Sequence, residues 1–204
     1  MNHLAHLALA GEDEGLLIGG FLGDFVKGQL HGERPSEIER GIHLHRHIDF
    51  FTDHHPVVTE LREHFPTKGR RVAGIALDLI FDHQLAVAFE DFYSIPLAEF
   101  EKTAFRRLLN PTYRKHFPEP ALIQCLGMRE RSSLLKTKDR EFVTRSPIWI
   151  RTRLRNGETL LSDHTIRQIR ALEPVILTHF ERFYPELIAE VEKTVGTFSC
   201  ETSN

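Results

Sequence analysis

Apolar residues recur at steps of three and four along nearly the whole chain, and no stretch alternates with the two-residue period of a half-buried strand. That periodicity predicts an all-α protein. With 204 residues and no linker-like or repeated segment, it also predicts a single compact multi-helix domain over residues 1–196, followed by a polar tail at 197–204. PSEIERGIHLHRHIDFFTD starts with proline, serine and acidic residues, as helix starts prefer, and stops before Pro56. GRRVAGIALDLIFDHQLAVAFEDF reads as one long buried helix. SIPLAEFEKTAFRRLLNP and PEPALIQCLGMRERSSLLKT follow as amphipathic helices. SDHTIRQIRALEPVILTHFERFYPELIAEVEKTV closes the fold, with kinks expected at Pro174 and Pro185.

Several classes fall away. No apolar run approaches the roughly 20 residues of a spanning helix. The opening MNHLAHLALAGEDEG lacks the basic region of a signal peptide. Cys125 and Cys200 are far apart, without metal-type spacing, so a reducing, cytoplasmic setting is expected. The net charge of −3 conceals an asymmetry: residues 1–102 hold 9 basic against 17 acidic side chains, and residues 103–155 hold 13 against 4. The second stretch could face an acidic partner, with Arg106, Arg107, Arg151, Arg153 and Arg155 as candidates, or its charges could be scattered over solvated faces. A nucleic-acid role is not expected, because the basic stretch lacks interleaved aromatics and the whole chain is acidic.

Chemistry concentrates in four places. In GIHLHRHIDFFTDHHP, residues 41–56, five histidines and two aspartates crowd one segment. At about 100° per residue, His45, Asp49 and Asp53 share a stripe at i, i+4 and i+8, beside the apolar face of Leu44, Ile48 and Phe51. His43 and His47 lie on another face, and His54 and His55 fall at the helix end. In LDLIFDHQL, Asp78 and Asp82 share a face, with His83 beside them, inside a helix that is apolar almost all round. Two aspartates there need a cation, either a metal ion or an arginine such as Arg46, Arg70 or Arg71. Asp24 sits in the glycine-rich GGFLGDFVKG, as a ligand or a helix cap. His3 and His6 sit in NHLAHLALA, where a lone histidine is more often a core residue than a ligand.

Mixed Asp/His sets suit Mn²⁺ or Mg²⁺, with Fe²⁺ possible. Such an ion polarises a phosphoryl oxygen and activates water near neutral pH, so phosphate-ester hydrolysis is the expected chemistry. The chain has no P-loop, no HExxH, no Rossmann fingerprint, no Glu-x-x-His pair and no nucleophile elbow.

NHLAHL, GDFVKG at 23–28, GIHLHRHIDFFTDHHP and ALDLIFDHQLA stand in the order and spacing of the acyl-carrier-protein phosphodiesterases, and the sequence closely resembles that family. The resemblance covers about the first 90 residues, with HFERFYP late in the chain. It implies an HD-domain-like fold, since the family is regarded as distantly related to the HD-type metal-dependent phosphohydrolases. It also implies hydrolysis of the 4′-phosphopantetheine–serine phosphodiester of holo acyl carrier protein with a divalent metal, typically Mn²⁺. The matching positions are Asn2, His6, Asp24, His45, Arg46, Asp49, Asp53, Asp78, Asp82 and His83. Of these, His6, Asp24, Asp49, Asp78, Asp82 and His83 are expected at the metal; His45, Arg46, Asp53 and His83 are expected to take part in catalysis, with Arg46 offsetting phosphoryl charge. Two positions depart from the pattern: His3 stands where an aromatic is expected, and Phe89 where a tryptophan is expected. Two rivals remain at this point: an HD-like phosphohydrolase acting on a nucleotide or other small phosphoester, and a non-catalytic helical module whose Asp and His groups pair with arginines.

Overall fold

The computed structural model describes residues 1–65, 70–152 and 154–201. Among these residues fourteen α-helices follow one another: α1 (His3–Leu9), α2 (Glu14–Leu22), α3 (Ser36–His54), α4 (Pro56–Glu63), α5 (Ala73–Val87), α6 (Phe89–Tyr93), α7 (Leu97–Leu108), α8 (Pro111–Arg114), α9 (Glu119–Glu130), α10 (Ser133–Lys136), α11 (Arg140–Arg151), α12 (Gly157–Leu160), α13 (Asp163–Ala171) and α14 (Glu173–Glu201). A 3₁₀ turn, Arg70–Val72, leads into α5. The described residues contain no strand, and none of their helices is long and apolar enough to cross a membrane.

The tightest helix crossing is α2 on α3, and small residues make it possible. Gly15, Gly19 and Gly23 recur every four residues, so they form one stripe along α2 and its C-cap. Along that stripe lie Glu37, then Ile38 and Gly41, then the His45 ring. A Cβ on Gly19 would collide with the Ile38 carbonyl and the Gly41 backbone, and one on Gly41 would stand 2.7 Å from the Leu16 carbonyl oxygen. Close approach of two backbones thus sets the depth of His45 in the fold.

α5 is apolar on most sides because α1, α11 and α14 all pack on it. Phe81 meets Phe180 and Phe183 of α14 at ring-centroid distances of 5.4 and 5.5 Å. Half-buried Tyr93 and buried Tyr184 share a hydroxyl hydrogen bond of 2.7 Å. α14 is also clasped polar-side to α3: His47 Nε2 lies 3.0 Å from Glu190 and His55 Nε2 lies 3.2 Å from Glu186. Two of the histidines crowded into residues 41–56 therefore bind helix to helix.

Three boundaries differ from those the periodicity predicts. The long helix expected through residue 92 breaks at Ala88, which leaves helical geometry (ψ 20°) and lets buried Phe89 turn onto Phe100, 4.9 Å between centroids. The helix after residue 118 breaks at Ser132, in left-handed conformation (φ 48°), and buried Glu101 of α7 then accepts the Leu134 and Leu135 N–H groups of α10. Finally, α14 runs on to Glu201, so residues 197–201, expected as tail, continue the helix. Pro174 stands at its start, after a break at Leu172, and Pro185 lies inside it.

Candidate metal centre

Two helices bring donors to one point: His6 from α1, and His45 and Asp49 from α3, have ligating atoms all within 4.8 Å of one another. His6 and His45 are buried and their rings stack at 3.9 Å. Asp49 is half-exposed; its Oδ1 is 3.2 Å from His6 Nε2 and its Oδ2 is 3.3 Å from His45 Nε2. Asp24, just past the end of α2, reaches in from the side, with Oδ1 3.8 Å from His45 Nε2.

The two rings of this cluster are held differently. His45 Nδ1 sits 2.8 Å from the Gly20 carbonyl oxygen, which can only accept, so the ring proton belongs on Nδ1. Its Nε2 faces the oxygens of Asp49 and Asp24. Neither nitrogen of buried His6 has a hydrogen-bond partner. Burial pushes the His6 pKa down to about 4 against the pull of Asp49, so its ring is neutral near pH 7. Burial alone would raise the Asp49 carboxyl, but the imidazoles of His45 and His6 outweigh it and hold the group well below the usual carboxylate range. Two imidazoles and the oxygens of Asp49 and Asp24 thus converge on one point, a mixed donor set of the kind that takes a divalent cation. His45 has the further mark of a metal-ligating histidine, its other nitrogen anchored on a backbone carbonyl.

Asp78 lies next to this group, half-exposed. The amino group of Met1 is 2.9 Å from its Oδ1 and 3.6 Å from Asp49 Oδ1. Burial opposes that positive charge, but Asp78 and Asp49 more than compensate and raise the amine's pKa. A positive charge is thus seated between the two carboxylates. Among the described residues no arginine or lysine pairs with Asp24, Asp49, Asp78 or Asp82. Arg46 instead donates to the Val26 carbonyl at 3.0 Å, tying α3 to the turn that carries Asp24; the side chain of Arg71 lies outside the described residues.

Three expected site residues stand apart. Asp82, on the same face of α5 as Asp78, is buried, and its oxygens accept the Leu4 N–H (2.9 Å) and the Asn2 N–H (3.3 Å). It caps the start of α1, and burial, against those two hydrogen bonds, raises its pKa to about 7. His83, about 100° further round the helix, turns to α10, its Nδ1 2.7 Å from the Thr137 carbonyl oxygen. Asp53 faces solvent in an ion pair with Arg62 of α4, which also donates to the Asp53 carbonyl. We expect Asp53→Ala to leave metal binding unchanged and to cost under about 1 kcal/mol, as exposed pairs do; a metal titration beside thermal unfolding checks both.

His3 was not among the expected ligands, yet it touches the centre. Its Nδ1 is 3.5 Å from Asp24 Oδ2 and its Nε2 is 2.6 Å from the Gln124 amide nitrogen. Its only signal in the sequence was its place in NHLAHL, one turn from His6. His3, Asn2 and Asp82 also line the inner end of a cleft of about 1200 Å³ that runs between α9 and the α10–α11 segment, past Ile123, Met128 and Phe142.

The family model for acyl carrier protein phosphodiesterase matches residues 1–187. Similar proteins carrying that name come from Yersinia pestis (41% identical over 129 residues, 62% of this chain and 64% of the relative), Klebsiella pneumoniae subsp. pneumoniae (43% over 110 residues, 53% and 57%) and Escherichia coli strain K12 / DH10B (46% over 101 residues, 49% and 52%). The chain thus spans between about half and two thirds of the length of these relatives. No solved structure matches it. With a family model matched from its first residue to residue 187, the chain belongs to the acyl carrier protein phosphodiesterase family.

Proposed function

We propose that this protein is a metal-dependent phosphodiesterase that cleaves the bond between serine and 4′-phosphopantetheine in holo acyl carrier protein, giving the apo carrier. Family membership supports the substrate. The chemistry rests on one observation: imidazole nitrogens of His6 and His45 converge on the Asp49 and Asp24 oxygens, and among the described residues no arginine or lysine pairs with those carboxylates.

His6, His45 and Asp49 would hold the ion, with Asp24 alongside, and this imidazole–carboxylate set suits Mn²⁺, with Fe²⁺ or Mg²⁺ as alternatives. The ion, when bound, supplies Lewis-acid polarisation of the phosphoryl group and an acidified water. The chain's own contribution is positional. The Gly20 carbonyl fixes the His45 ring, burial keeps His6 neutral, and half-exposed Asp24, Asp49 and Asp78 leave one side of the centre open to a substrate. The adjoining cleft, wide enough for a flexible arm, supports a substrate with a long group on its phosphate.

Docking of an acidic carrier would fall to cations not already spent inside the protein. Of the five expected, Arg107 pairs with Glu12, Arg151 pairs with Asp163 and Glu158, and Arg153 lies outside the described residues. Among the described residues Arg106 and Arg155 form no ion pair, and Arg106 shares one depression with Lys102 and Arg129.

Metal-depleted protein should be inert toward holo carrier protein and should release the arm on addition of Mn²⁺, read as a mass loss on the carrier. Cleavage of small phosphodiesters with the carrier left intact would favour the nucleotide-type reading. No cleavage of either would remove the enzymatic one.

A further inference from the structure

The metal centre reaches further than the residues that would touch an ion. Gln124 is on α9, and 121 positions separate it from His3, yet its amide nitrogen lies 2.6 Å from His3 Nε2. An amide N–H can only donate, so Nε2 must carry the lone pair and the imidazole proton must sit on Nδ1. Nδ1 is the nitrogen that faces Asp24, 3.5 Å from Oδ2. The ring itself is held by packing on Phe21, 5.4 Å between centroids. The other Asp24 oxygen, Oδ1, is the one turned to His45 Nε2. The chain of contacts reads Gln124 to His3, His3 to Asp24, Asp24 to the centre.

Asp24 has need of such support. It follows Gly23 beyond the last turn of α2, its side chain is 49% exposed, and among the described residues no backbone N–H holds it. A carboxylate that free samples several rotamers, and each lost orientation weakens its grip on an ion. Resting on the metal reading above, we propose that Gln124 and His3 are positioning residues for Asp24. Gln124 sets the tautomer of His3, and His3 then fixes one carboxylate oxygen so that the other is presented to the metal. Because Gln124 also lines the cleft beside the centre, the same contact joins the cleft wall to the metal ligand.

The test is a Mn²⁺ titration of the metal-depleted full chain, followed by electron paramagnetic resonance of the free ion, for the parent protein, Gln124→Met, His3→Phe and the double variant. Gln124 is exposed, so an isosteric side chain without a donor leaves the fold intact, and His3→Phe keeps the ring against Phe21. We expect each single variant to bind Mn²⁺ about 10–100-fold more weakly, the usual effect of removing a group that orients a ligand. The double variant should be no weaker than the weaker single, because the two residues act in series. Parent-like affinity in Gln124→Met, or losses that multiply in the double variant, would overturn the proposal while leaving the metal centre standing. A parent protein that binds no Mn²⁺ would instead remove the metal reading, and this inference with it.

Discussion

Asp49→Asn is expected to abolish tight divalent-metal binding while leaving the protein folded. The two oxygens of Asp49 face two different imidazoles, Oδ1 at 3.2 Å from His6 Nε2 and Oδ2 at 3.3 Å from His45 Nε2. Asparagine keeps the shape but exchanges one oxygen for an N–H donor. The remaining oxygen still faces an imidazole, so the packing around it is kept. The metal loses both a negative charge and a ligand, so affinity should fall by more than about 100-fold, since residues that merely orient a ligand already cost about 10–100-fold. Calorimetric titration with Mn²⁺ and a melting curve of the metal-free form give the two numbers. Unchanged affinity would take Asp49 out of the centre, and a lowered melting temperature would show that its charge serves the fold.

The second large effect falls on the glycine stripe of α2, where two single-methyl additions should fail in different ways. At Gly19 the new Cβ would meet backbone, the Ile38 carbonyl and Gly41, and no side chain can rotate away. α2 and α3 must separate, and Gly19→Ala should destabilise the fold by about 1–3 kcal/mol or more, as overpacking does. At Gly23 the atoms nearest the new Cβ would be those of the His45 side chain, its ring and its Cβ. The ring can swing, but in doing so it gives up the Gly20 carbonyl and its aim at Asp49. Gly23→Ala should therefore weaken metal binding more than it weakens the fold. Denaturant unfolding of both variants, with Mn²⁺ titration of the second, separates the outcomes; a harmless Gly19→Ala would mean that the two helices do not cross this closely.

What the sequence disclosed, and what it hid, follows from the range over which each signal acts. Helical periodicity is local, so the all-α class and most helix spans were readable. The breaks at Ala88 and Ser132 were not, because each is set by contacts from elsewhere: Phe100 under Phe89, and Glu101 on the α10 amides. Face-sharing on a helix is equally local, and it put His45 and Asp49 together one turn apart. It also grouped Asp53 with them, yet eight residues at about 1.5 Å each set it roughly 12 Å along the axis, too far to share an ion with His45. Asp78 and Asp82 share a face, but spacing could not tell that the first would border the centre and the second would cap α1.

His3 illustrates the opposite error. Its role depends on Asp24 and on Gln124, far away in the chain, and no local pattern links the three. The stripe of Gly15, Gly19 and Gly23 was visible throughout. Its four-residue spacing marks a close helix crossing, and it could have located the depth at which His45 sits.

The most direct measurement is anomalous diffraction at the manganese edge from crystals grown with Mn²⁺. A single strong peak bounded by His6, His45 and Asp49, with Asp24 drawn in beside it, is the expected result. A peak elsewhere, or none with His6 and His45 directly paired to Asp49, would contradict a metal centre at this convergence of helices.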